Sequence, residues 1–111
     1  MRHAEVMEKV DRSGLEPGML VETNDYLILW EDPYWRTDIH TDPRRGITRY
    51  EKFQVLSVDH DIEDIYSKVI EPVRESWELI SATRVMVLWK GIVGWVIICN
   101  NEGHVFTVLA R

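Results

Sequence analysis

The sequence predicts a mainly β protein, folded as a small antiparallel barrel or sandwich. The clearest observation is the segment 84–109, where β-branched and aromatic residues fill three short runs. Gly91, Gly94 and the segment 100–103 separate these runs with residues that are typical of tight turns. We therefore expect the three runs to form an antiparallel meander at the C-terminal end of the chain.

Earlier apolar runs extend the β pattern towards the N-terminus. The runs 19–22 and 26–30 flank Asn24 and Asp25, a pair that favours a hairpin turn. The run 52–58 alternates apolar and polar positions, as a half-buried strand does. Because 111 residues are enough to bury one core, we expect a single domain over residues 1–111.

Two segments show helical spacing instead. Within residues 1–12, Val6, Met7 and Val10 recur at helical intervals, which predicts a short N-terminal helix. The segment 61–71 has a similar stripe, and Pro72 would end a helix there. Alternation towards the end of this segment fits an extended excursion as well, so both interpretations stay open.

Composition restricts the classes of function. One cysteine, Cys99, cannot form an internal disulfide, which favours a reducing cytoplasm. The start of the chain lacks the apolar core of a signal peptide, and the longest apolar run is far below the roughly 20 residues of a membrane span. A net charge of −6 argues against general nucleic-acid binding. We expect a soluble, cytoplasmic protein without membrane partners.

The chain carries Pro17-Gly18-Met19-Leu20-Val21 near its start and Val55-Leu56-Ser57-Val58 in its centre. Residues 87–95 read Val-Leu-Trp-Lys-Gly-Ile-Val-Gly-Trp. This combination resembles a class of short phage proteins with a Pro-Gly-acidic-Leu-Val opening and a Val-Leu-Trp hairpin. Met19 stands where those proteins usually have an acidic residue. The resemblance implies an SH3-like barrel and a viral origin, and it implies no functional residue because most of those proteins have no assigned function.

The segment 34–50 is the candidate ligand-binding loop. It belongs to the polar stretch 31–50, which contains two prolines, and its arginines are concentrated in an otherwise acidic chain. Aromatic rings stack nucleobases, and guanidinium groups bind phosphate through two parallel hydrogen bonds. The candidate ligand-binding residues are Tyr34, Trp35, Arg36, Arg44, Arg45, Arg49 and Tyr50. The alternative is a solvated loop in which these arginines pair with neighbouring carboxylates such as Asp38 and Asp42.

Metal and catalytic sites find less support. His40 lies between Asp38 and Asp42, and His60 has an aspartate on each side, but no histidine pair has the local spacing of a metal site. No nucleophile elbow or phosphate-binding loop is present. We expect no enzyme activity, no cofactor and no metal. The acidic residues 59–64 fit a solvated helix start, or a mild mimic of nucleic acid aimed at a basic protein.

These features lead to two functional hypotheses. The first is a non-enzymatic viral protein that captures a small anionic, nucleotide-like ligand, as an anti-defence sponge would. The second is a protein-interaction or virion-assembly module without a small-molecule ligand. The segment 94–99 is apolar on both faces and 105–109 nearly so, which predicts a homo-oligomer because a lone barrel buries only inward-facing residues.

Overall fold

The computed structural model describes residues 7–36, 46–71 and 74–111, and it is mainly β. After a first short strand comes one turn of 3-10 helix, Arg12–Gly14. The strands are β1 Lys9–Asp11, β2 Leu20–Thr23, β3 Leu27–Ile28, β4 Trp35–Arg36, β5 Gly46–Ile47, β6 Lys52–Glu71, β7 Arg74–Trp89, β8 Ile92–Cys99 and β9 Val105–Ala110.

Six strands form the main sheet in the order β1-β9-β2-β6-β7-β8, with every neighbouring pair antiparallel. β4 adds to it by pairing in parallel with β6, and β3 pairs with β5 in a separate two-stranded sheet. The end strands β1 and β8 are not paired with each other in the described residues. The mainly antiparallel β prediction is confirmed at this level.

Two predicted strand pairings are wrong although their strands exist. The strands on either side of Asn24 and Asp25 do not form a hairpin, because β2 pairs with β6 and β9 while β3 pairs with β5. The C-terminal meander holds only for β7 and β8, which are joined at Lys90 and Gly91. β9 leaves β8 and pairs with β1 and β2. Gly94 lies within β8 and not in a turn.

The N-terminal helix prediction is also wrong for the described residues. Lys9–Asp11 is a strand whose backbone pairs with residues 105–107 of β9. Val10 packs against the main core from this strand. Val10 therefore reaches the core from an edge strand and not from the amphipathic helix that the apolar spacing predicted. Residues 1–6, where the rest of the predicted helix would lie, fall outside the described residues.

The segment 61–71 is extended and belongs to β6, so the helix interpretation is wrong there too. β6 contains extra residues relative to β7, with register shifts between Asp59 and Ile62 and between Ile62 and Ile65. Bulges of this kind place residues three apart on the same face of a strand. Ile62 and Ile65 consequently join the same apolar cluster, and their spacing imitates a helix.

Two apolar clusters hold the sheet together. The larger contains Phe53 and Phe106, which meet edge to face with ring centroids 6.0 Å apart, and it includes the buried Val21 and Val87. The smaller is centred on Ile65, Ala82 and Ile97, with Trp30, Ile62 and Ile80 packed against it. Among the residues whose burial the structure describes, the smaller cluster reaches Ile65 on β6 and Ile80 on β7.

The β6–β7 hairpin makes the molecule elongated. The principal extents are 63 × 27 × 23 Å and the radius of gyration is 15.0 Å, whereas a compact domain of this length has a radius of gyration of about 13 Å. A straight strand of twenty residues spans roughly 66 Å, so β6 accounts for most of the long dimension. We call the part of this hairpin formed by residues 66–71 and 74–80 the arm.

Candidate binding surfaces

The described residues of the candidate loop fall in two places, and one of them is the turn before β6. Tyr50 has a positive φ of 71°, and its N–H donates to the carbonyl of Thr23 at 2.7 Å. The Arg49 guanidinium lies 4.9 Å from the centroid of the Tyr50 ring, which is 58% exposed. The turn thus presents a cation and an aromatic face together to solvent.

Glu51 anchors this turn to the sheet. Its carboxylate accepts hydrogen bonds from the Thr48 hydroxyl at 2.8 Å, the Trp89 indole at 2.7 Å and the Lys90 ammonium at 3.3 Å. Burial alone would raise the pKa of Glu51, but these donors outweigh it and hold the pKa below its ordinary value. The arrangement explains why Trp89, which lies at the end of β7, can be buried with its indole N–H satisfied.

Tyr34 lies elsewhere, beside Arg84 of β7. The Arg84 guanidinium is 5.2 Å from the centroid of the Tyr34 ring, and it donates to the carbonyl of Pro33 at 3.2 Å. The same group donates to Asp59 and to Asp64, each at 3.2 Å, and its side chain is only 13% exposed. Arg84 therefore joins the segment before β4 to the β6–β7 sheet.

The Arg84 contacts explain part of the acidic segment 59–64. Asp59 is the cross-strand neighbour of Arg84, and Asp64 reaches the same guanidinium from farther along β6. Two of these acids thus share one cation within the molecule, and the segment is part of a strand and not a helix start. Arg84 is not among the predicted site residues, because its contacts depend on the β6–β7 register. The bulges in β6 make that register unpredictable from the local sequence.

The described residues of the candidate loop do not form one cluster. Trp35 and Arg36 form β4, whose backbone pairs with Tyr66 and Ser67 of β6. Tyr50 precedes the first residue of β6, and a straight strand from residue 52 to residue 66 would span roughly 45 Å. Arg49 and Tyr50 are together, whereas Tyr34 is grouped with Arg84. Arg44 and Arg45 lie outside the described residues.

A groove opens between the segment 26–31 and β8. Trp30 and Trp95 exchange backbone hydrogen bonds of 2.7 and 2.9 Å, and Gly94 permits this close approach because a Cβ there would lie 2.7 Å from Leu29 and 3.0 Å from the Trp30 carbonyl. To one side of this bridge lies a cavity of about 280 Å³. It is lined by Tyr26, Leu27, Ile28, Trp30, Val96, Ile97, Glu102 and His104.

Histidine and carboxylate groups meet at this groove. His104 Nε2 lies 2.8 Å from a Glu102 carboxylate oxygen, and His104 Nδ1 lies 3.6 Å from Asp25. The Nδ1 atom is buried and has no hydrogen-bond partner. Nothing in the local sequence spacing of His104 signalled this placement, because Asp25 comes from the other end of the chain.

The arm carries exposed apolar side chains. Tyr66 and Leu79 are direct cross-strand neighbours and therefore share one face of the hairpin. Trp77 lies two residues from Leu79 on the same strand, so it points to the same face, and all three are exposed. β8 covers β7 only from Ala82 onwards. The arm thus combines an apolar face with a strand edge that β8 does not reach.

Within residues 7–36, 46–71 and 74–111, no group of three or more histidine, cysteine or acidic side chains is arranged to hold a metal ion. His60 lies in this part, whereas His40, Asp38 and Asp42 fall outside it. The same ranges contain no helix long and apolar enough to cross a membrane.

Comparisons with known proteins give no relative. No family model matches the chain. No curated protein and no solved structure matches it either. Any functional assignment therefore depends on the surfaces described above.

Proposed function

We propose that this chain is a non-enzymatic interaction module that assembles with a second copy of itself through the arm. The observation that carries the proposal is the exposed apolar face of Tyr66, Trp77 and Leu79 on a hairpin that extends beyond both core clusters. An isolated two-stranded ribbon is marginally stable in water. Such a ribbon gains stability when a further strand covers its edge.

The direction of the β7 backbone supports pairing along this edge. The Ser81 carbonyl accepts a hydrogen bond from the Asn100 N–H, on the side of β7 that faces away from β6. All register shifts in this hairpin insert residues into β6, and β7 is regular. Since backbone groups alternate along a regular strand, the N–H and C=O of Leu79 also point away from β6. An antiparallel strand could bond to them there.

A second copy fits this edge. Two-fold symmetry brings the same strand of both copies together in antiparallel orientation. An axis at Trp77 places Glu78 opposite Ser76 of the second copy and so avoids facing like charges. The apolar side chains at 77 and 79 of both copies would then lie side by side on one face of the extended sheet and bury part of their surface against one another. The homo-oligomer predicted from the sequence is retained in this form.

Sedimentation velocity of the purified chain and two variants tests the proposal. Leu79→Lys places a charge in the apolar face of the arm, and Val93→Lys is the matched control because both side chains are 55% exposed. We expect the wild type and V93K to exceed the monomer mass of 13.1 kDa at micromolar concentrations and L79K to remain monomeric. Equal association of all three proteins would contradict assembly through the arm.

A second candidate function is capture of a small anionic, nucleotide-like ligand. The observation that favours it is the exposed Arg49–Tyr50 pair, in which a guanidinium already lies over an aromatic ring. Arg44 and Arg45 would neutralise phosphate in this proposal. Thermal-shift measurements with mono-, di- and cyclic nucleotides test it directly. We expect a stabilisation with one nucleotide class that is lost in an R44A/R45A variant, and no shift with any class would dismiss ligand capture.

The finer fold and the origin belong to the same proposal. The register shifts in β6 and the pairing of β2 with both β6 and β9 support a small SH3-like barrel, in which the Trp30–Trp95 bridge would help to close the wall. A viral, host-cytoplasmic protein is proposed from the phage-like motifs around Pro17 and Trp89. Assembly through the arm is compatible with a structural role in a virion.

A further inference from the structure

We propose that the groove between residues 26–31 and β8 binds an organic cation, an ammonium or guanidinium group carried on an apolar stem. The proposal is independent of assembly through the arm, because the groove lies on the opposite side of the Ala82–Cys99 pair from the arm. It is also independent of the Arg49–Tyr50 pair, whose charge would select ligands of the opposite sign.

Two aromatic residues border the groove and are held in place. Tyr26 packs over the backbone of Gly46, where a Cβ would overlap its ring, yet the side chain remains 51% exposed. The backbone of Trp30 is held by reciprocal bonds with Trp95, and its side chain packs against the smaller apolar cluster. The faces of tyrosine and tryptophan rings attract cations, and a ring that is already positioned loses little entropy on binding.

The charge at the groove has the matching sign. The Glu102 carboxylate lines the cavity, and Asp25 lies on the other side of His104. Among the described residues that line the cavity there is no lysine or arginine. The described charged groups at the groove are two carboxylates with one imidazole between them. A phosphate would therefore be repelled, whereas a cation would be attracted.

The remaining lining suits the apolar stem of such a ligand. Val96 and Ile97 are buried residues of β8 that border the cavity, and Leu27 and Ile28 border it from β3. The cavity volume of about 280 Å³ is at the small end of ligand pockets. It fits a single alkylammonium group or one arginine or lysine side chain rather than a large cofactor.

Titration with choline and with 3,3-dimethylbutan-1-ol, its neutral isostere, tests the proposal by two-dimensional ¹H–¹⁵N NMR. We expect choline, but not the alcohol, to shift the Trp30 indole N–H and the backbone amides of Ile97 and His104. The affinity should fall as salt is added, because the groove attracts the ligand partly through charge. Equal shifts with both compounds, or shifts with inorganic phosphate instead, would overturn the proposal.

Three variants separate the contributions of the groove. Tyr26→Phe keeps the aromatic face and should bind choline as the wild type does. Tyr26→Leu and Glu102→Gln should each weaken binding about five-fold, with spectra that otherwise overlay on the wild type. An unchanged affinity for choline in both Tyr26→Leu and Glu102→Gln would overturn the proposal. Nα-acetyl-lysine amide and Nα-acetyl-arginine amide keep their side-chain charge. Comparing their affinities with that of choline shows whether a protein side chain or a free amine is the preferred source of the cation.

Discussion

At the scale of single residues, Arg84 carries the densest set of polar contacts in the described chain. Its guanidinium donates to two carboxylates and one backbone carbonyl and stacks over Tyr34. Arginine can satisfy several acceptors at once because its donors are fixed in a planar fork. Lysine, with one small ammonium group, cannot reproduce this arrangement.

Replacing Arg84 should therefore destabilise the protein. Arg84→Met keeps most of the stem but leaves Asp59 and Asp64 without their shared cation. Because both carboxylates are about half exposed and can be hydrated, we expect a moderate loss of about 1–2 kcal/mol in the free energy of unfolding. Urea denaturation measures this loss. The free energy of unfolding of Arg84→Lys should fall between those of the wild type and Arg84→Met. If Arg84→Lys were as stable as the wild type, the planar guanidinium would not be needed for stability.

Glu51 makes stability depend on pH. Its pKa is lower in the folded protein, where burial opposes ionisation but the Thr48, Trp89 and Lys90 donors outweigh it. A carboxyl group of this kind contributes stability above its unfolded pKa and loses that contribution as the pH falls through the folded value. We expect wild-type stability to decline below roughly pH 4 more steeply than that of Glu51→Gln. Parallel pH profiles from thermal unfolding would refute this role for Glu51.

At the scale of elements, the strands were easier to predict than their partners. The strong runs around 84–89 and 52–58 are strands because β-branched residues alternate with the pattern of a buried face. The pairing partner of each strand depends on where the chain returns after a long loop. The residues within a strand do not indicate that partner. The separation of β2 from β3 shows this most clearly, since a good turn sequence joins two strands of different sheets.

Bulges account for the other failure at this scale. Register shifts in β6 change which residues face the core, so Ile62 and Ile65 fall on one side at helical spacing. The candidate sites were affected in the same way. The loop arginines could be named from composition, whereas Arg84, His104 and the apolar arm depend on pairings between distant strands. Among the predicted site residues that the structure describes, Arg49 and Tyr50 form a pair in which the guanidinium lies over the ring.

The close approach of β8 to the segment 26–31 gives a further prediction. A Cβ at residue 94 would lie 2.7 Å from the Leu29 side chain and 3.0 Å from the carbonyl of Trp30, so the Leu29 side chain must shift and the carbonyl is crowded. We expect Gly94→Ala to lower the free energy of unfolding by about 1–3 kcal/mol. Gly103→Ala is the matched control, since nothing lies within 4 Å of its added Cβ. Equal stability of the two variants would mean that the bridge can separate at no cost.

At the scale of the whole molecule, apolar side chains are buried in one part of the β6–β7 hairpin and exposed in another. The core clusters occupy one part of β6 and β7, and the same two strands continue as the arm with Tyr66, Trp77 and Leu79 exposed. The sequence predicted excess apolar surface but assigned it to 94–99 and 105–109. Much of that surface is buried, because Ile97, Ile98, Phe106 and Val108 all belong to the interior. The arm instead carries three of the exposed apolar side chains on one face, and Ile92 and Val93 at the start of β8 are exposed as well.

Isotope-filtered NMR on a mixture of labelled and unlabelled chains would detect arm-to-arm pairing itself. The experiment detects only those proton contacts that connect two different copies. We expect intermolecular contacts from the Leu79 methyl groups of one copy to residues 75–79 of the other, together with a larger sedimenting mass. Intermolecular contacts confined to Ile92 and Val93 would contradict pairing through the arm. A monomer mass at micromolar concentrations, with no intermolecular contacts, would contradict it as well.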